Sequence, residues 1–80
     1  MHSADIENSQ RLRLALAFIR SAGSLGVTTI ELQGFTGSMA PATDVSEIRK
    51  NGYDIRCTYD HKTERGRKVY RYFYKGKEKE

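Results

Sequence analysis

Lys62, Arg65, Arg67, Lys68 and Arg71 face only one acid, Glu64, between residues 61 and 71. Cations at this density bind phosphates, lysine as a point charge and arginine as a planar two-toothed donor, and each neutralised phosphate releases counterions. The overall charge is only +4 in eighty residues, so its uneven spread says more than its total. Between 41 and 50, by contrast, Asp44 and Glu47 cancel Arg49 and Lys50. Other chemistries find no foothold. The lone Cys57 cannot close an internal disulfide, no Cys or His cluster stands at metal-ligand spacing, and His61 has no visible ligating partner. Without a Gly-rich phosphate loop or a Ser, His and Asp arrangement, the sequence reads as a non-enzyme with no cofactor and no metal. Cys57 is expected as a small buried hydrophobe on a strand.

The elements that position these cations follow from periodicity. Ser9 caps a helix from Gln10 to Ala22 whose apolar stripe is Leu12, Leu16 and Ile19, with Ala15 and Ala22 beside it and Leu14 and Phe18 on a second edge. Gly23 and Gly26 end it, and the segment around Ser24 to Val27 is available as a first strand. Thr29, with Thr28 as the alternative, caps a short second helix that turns Ile30 and Phe35 inward and stops at Gly37. Pro41, tolerated only in a first turn, opens a third helix to Lys50 with Val45 and Ile48 inward. Thr43, Glu47 and Lys50 project on the opposite side, with Asp44 and Ser46 on the flanks. Asn51-Gly52 stops that helix.

Two alternating strands come next. Tyr53, Ile55, Cys57 and Tyr59 share one face of the first; Tyr70, Tyr72 and Tyr74 share one face of the return strand, and Val69, Arg71 and Phe73 the other. The tyrosine face is expected to pack on the helices. Asp60 to Arg67 reads as a projecting loop. The expected fold is α+β: a helix-turn-helix followed by a basic wing, three helices on a two- or three-stranded antiparallel sheet. Residues 1 to 8 are expected to form a loose arm, 9 to 74 the domain, and 75 to 80 a disordered charged tail.

With Thr28-Thr29-Ile30-Glu31, Gly37, Val45, Ile48-Arg49, Gly52 and Ile55, then Val69, Arg71, Tyr72 and Tyr74, residues 10 to 74 resemble a family of small phage and prophage winged helix-turn-helix domains. The spacing from Glu31 to Gly52 fits without a gap. The resemblance implies double-stranded DNA as partner and a role like that of excisionases or small transcriptional regulators. Two positions depart from the pattern: Thr43-Asp44 replaces Ala-Arg on the third helix, and Thr36 replaces Leu before the turn glycine. A carboxylate repels phosphate and can only accept from a base, so the family's arginine contact does not carry over to Asp44.

The expected DNA-binding set is therefore Ser38, Thr43, Ser46 and Lys50 on or before the third helix, with Lys62, Arg65, Arg67 and Lys68 on the wing. Arg11, Arg13 or Arg20 add phosphate affinity. The alternative is a protein-interaction module that meets a host or phage protein through an outward apolar pair, Val69 and Phe73, and the acidic Asp44/Glu47 edge. No apolar run approaches the roughly 18 residues of a membrane span. The first residues lack the plan of a signal peptide, so a cytoplasmic protein of a bacterial host cell is expected.

Overall fold

The computed structural model describes residues 9–77; the expected arm at 1 to 8 and the last three residues of the expected tail lie outside them. The chain runs α1 (Gln10–Ala22), a single 3-10 turn (Gly23–Leu25), β1 (Val27–Thr28), α2 (Thr29–Thr36), α3 (Pro41–Lys50), β2 (Tyr53–Lys62) and β3 (Lys68–Lys77). All strand pairs are antiparallel, in the order β1-β3-β2. This three-helix, three-stranded α+β architecture is compatible with a winged helix.

Local chemistry fixes the helix starts. Ser9 Oγ accepts from the Leu12 amide at 3.2 Å, as expected of the cap of α1. At α2 the cap is Thr28 rather than Thr29. Thr28 Oγ1 accepts from the Glu31 amide at 3.1 Å, and Glu31 Oε1 accepts from the Thr28 amide at 2.9 Å, so two orphan donors are satisfied reciprocally. Relieved of capping, the Thr29 hydroxyl bonds both the carbonyl (3.2 Å) and the amide (3.1 Å) of Tyr70, continuing the edge of β3 where β1 ends.

The inward face of α2 differs from expectation. Leu32 is fully buried, whereas Ile30 is 46% and Phe35 51% exposed. Five residues of α-helix turn about 500°, which leaves Ile30 and Phe35 about 140° apart; both cannot face one core. Leu32 lies about 60° from Phe35, so Phe35 flanks the core and stacks on Phe18 of α1, centroids 4.3 Å apart and planes within 16°. In α3, Pro41, Val45 and Ile48 are buried as their spacing requires.

One core joins Leu12, Ala15, Leu16 and Ile19 of α1 with Val27, Leu32, Val45, Ile48, Ile55 and Tyr72, and Phe18, Tyr53 and Tyr74 close its rim. Gly26 sits where this core meets the sheet. Its φ is +69°, and a Cβ there would lie 2.7 Å from the Phe73 ring and 2.8 Å from the Tyr72 carbonyl oxygen. Phe73 is therefore half-buried against backbone rather than free on the outer face, beside a hollow of about 510 Å³ lined by Ser24, Arg56 and Thr58. Val69 is fully buried, not outward. It lies on the central strand, opposite His61 of β2. Cys57 is exposed, not buried, because β2 is an edge strand that outruns the helices beyond Ile55. Residues 75 to 77, expected in the tail, belong instead to β3, which continues to Lys77, whose ammonium lies 5.3 Å from the Tyr53 ring centre. A ladder needs only backbone partners, and an exposed edge accepts lysines readily.

Candidate nucleic-acid interface

The tip of the β2–β3 hairpin is a defined turn. The Thr63 amide donates to the Arg67 carbonyl at 2.8 Å, the Gly66 amide to the Thr63 carbonyl at 2.9 Å, and Thr63 Oγ1 accepts from the Arg67 amide at 3.1 Å. Gly66 takes φ +85°, a value that side chains disfavour. Arg65 and Arg67 are thus presented by backbone and threonine contacts that leave their guanidinium groups uninvolved. With Ile30, Thr63 and Glu64 they line a shallow hollow of about 430 Å³, so the start of α2 adjoins the tip. Lys62 and Lys68 are direct cross-strand partners. All four cations are exposed, and among the described residues none of them enters an ion pair.

The fifth cation of the sequence pattern is otherwise engaged. Arg71 Nε donates to Asp60 Oδ1 at 2.8 Å and its Nη1 to the Leu25 carbonyl at 2.8 Å. Asp60 is the extra residue of a β-bulge between Tyr59 and His61, and its other oxygen lies 2.6 Å from His61 Nδ1. The Arg71 hydrogen bond first, and the His61 contact second, hold the Asp60 carboxyl below its ordinary range. Arg71 therefore clamps the root of the hairpin to the turn before β1.

On α3, Thr43, Ser46 and Lys50 are exposed and fall within about 60° of one another around the helix. Ser38 stands apart from them, half-buried in the loop, where its Oγ accepts from the Ala40 amide at 3.1 Å and its own amide donates to Thr36 Oγ1. Asp44 does not share the exposed face. Its carboxylate is buried against α1, with Oδ1 2.9 Å from Arg11 Nε, and Oδ2 has no hydrogen-bond partner among the described residues. That geometry ties Arg11 through its Nε to an acid and removes Asp44 from any acidic edge. Arg20 is partly engaged too, 5.2 Å from the Tyr74 ring centre.

No family model, curated protein or solved structure matches this chain. Function has to be read from the side chains themselves. Two groups stand out, the hairpin cations and the exposed face of α3. Arg49 joins their supports: its Nε and Nη2 donate to the Ile55 carbonyl at 2.9 and 2.6 Å, fixing the last turn of α3 to the root of β2. Sequence pattern gave no sign of this bond, nor of the Thr29–Tyr70 one, since each joins a side chain to backbone in a different element. Among the described residues no group of three or more Cys, His, Asp and Glu could hold a metal, and no helix is long and apolar enough to cross a membrane.

Proposed function

We propose that the chain is a winged helix-turn-helix protein that binds double-stranded DNA, with α3 entering the major groove and the β2–β3 hairpin lying as a wing on the adjacent backbone. The resemblance to phage and prophage domains extends this to an excisionase-like or transcriptional accessory regulator. The observation that carries the reading is the set of four exposed cations, Lys62, Arg65, Arg67 and Lys68, without ion-pair partners among the described residues, on a hairpin that follows directly after the two helices α2 and α3. Phosphate contacts position such a protein, and Thr43, Ser46 and Lys50 supply hydrogen-bonding groups for base edges or further phosphates. Fluorescence anisotropy with a random-sequence duplex at about 50 mM salt tests it. Binding that weakens steeply with added salt is expected; no binding under those conditions overturns the reading.

A second reading, a protein-interaction module, is favoured by one feature. Phe35 is half-exposed while stacked on Phe18, and Leu14, one turn earlier on α1, is 38% exposed. That edge, rather than Val69 and Phe73, would meet a protein partner. Capture of a stoichiometric protein from a nuclease-treated lysate, lost on Phe35→Ser, is its expected signature; capture indifferent to that substitution removes this surface.

A further inference from the structure

Tyr70 and Tyr72 share one face of β3, and Tyr72 is part of the core, so Tyr70 lies on the helix-side face of the sheet. Thr29 at the start of α2 bonds its backbone, but its ring stays partly open. Along β2 the same face is buried at Ile55 but exposed at Cys57 and at Tyr59, the cross-strand partner of Tyr70. The two phenol rings meet edge to face, centroids 6.0 Å apart and planes at 78°, yet Tyr59 remains 55% and Tyr70 36% exposed. Two residues before Tyr70 on that face of β3 comes Lys68, directly opposite Lys62. Like charges placed directly across a ladder are unfavourable, and the carboxylate of Asp60 on the same hairpin is occupied by Arg71 and His61. An aromatic pair followed by a cation pair, on one open strip of sheet, matches the spacing of base and phosphate in an unpaired strand better than it matches a duplex exterior, where base faces are hidden.

We infer that the helix-side strip of the hairpin binds unpaired nucleotides, with a base stacked on the Tyr59–Tyr70 pair and the neighbouring phosphates on Lys62 and Lys68. The site shares Lys62 and Lys68 with the duplex contact proposed above, adds the Tyr59–Tyr70 pair, and uses the phenol rings for their faces, not their hydroxyls. Such a strip would let the protein hold an opened or single strand on part of the surface that otherwise meets a duplex.

The test is a titration of the full chain with labelled 12-mers of oligo(dT) and oligo(U), and in parallel with a random duplex, at about 50 mM salt. The chain has five tyrosines and no tryptophan, so quenching of its intrinsic fluorescence reports stacking directly. Binding of a single-stranded probe with quenching is expected, falling on the order of 10-fold in Tyr59→Ser and staying within about 2-fold in Tyr59→Phe. The two probes distinguish a deoxyribose from a ribose strand. Unaltered melting of both variants by circular dichroism keeps the comparison one of binding. The inference is overturned if neither single-stranded probe binds, if Tyr59→Ser binds as well as the parent, or if Tyr59→Phe loses as much as Tyr59→Ser. Duplex binding without single-strand binding would sink this inference alone; single-strand binding without duplex binding would sink the duplex reading alone.

Discussion

Replacing Arg65 and Arg67 together by glutamine should change the salt dependence of DNA binding by a calculable amount. If Lys62, Arg65, Arg67 and Lys68 each neutralise one phosphate, log Kobs against log salt has a slope near −0.9 × 4, about −3.6. Between about 50 and 200 mM salt, a fourfold change, affinity then falls about 150-fold. The double variant retains two contacts, so its slope should be about −1.8 and its fall over the same range about 12-fold. The fold should tolerate the change, because the turn is held by backbone bonds and by Thr63, and glutamine preserves most of the stem. Anisotropy titrations at four or five salt concentrations with one duplex give both slopes. A double variant whose slope equals the parent's would show that the hairpin tip does not meet phosphate, however tightly the duplex is held.

Other expectations concern stability. Arg11→Met should cost about 3 kcal/mol in urea unfolding, since it strands a buried Asp44 carboxylate, whereas Asp44→Asn should cost about 1 kcal/mol because half-exposed Arg11 simply returns to water. Equal costs would contradict the buried orientation of Asp44. Gly26→Ala should cost at least about 2 kcal/mol, combining a backbone conformation reserved for glycine with a contact on the Tyr72 carbonyl that has no flexible end to move. A stability change near zero would place Gly26 elsewhere. The Asp60 carboxyl is depressed in the folded chain, so its contribution is complete above its ordinary value of 3.8 and is lost as pH falls through the lower folded value. Asp60→Asn should flatten the acid limb of a stability–pH profile in that window; an unchanged limb would argue that the Arg71 clamp is not formed in solution.

Much of the architecture is legible in local chemistry. Ser9, Pro41 and Gly52 mark boundaries because caps and breakers act within one turn, and Leu12, Leu16 and Ile19 announce the face of a long helix. Alternation likewise identifies which tyrosines share a side of the hairpin. It cannot say how far the helices extend over that side, which is why Tyr72 is core while Tyr59 and Tyr70 are open and Cys57 is exposed. Eight residues are too few for periodicity to choose among Ile30, Leu32 and Phe35. Of the expected site, the four hairpin cations stay exposed, whereas Arg71 and Arg11 are taken by acids eleven and thirty-three residues away, pairings that no spacing rule contains.

The double grip of Arg49 on the Ile55 carbonyl has a mechanical consequence. Helix and hairpin share a rigid joint, so a twist applied to one end of the molecule is transmitted to the other instead of being absorbed at Asn51-Gly52. On the proposed duplex reading, that fixed angle would act as a gauge: the ligand would have to present, or be bent into, the matching groove geometry.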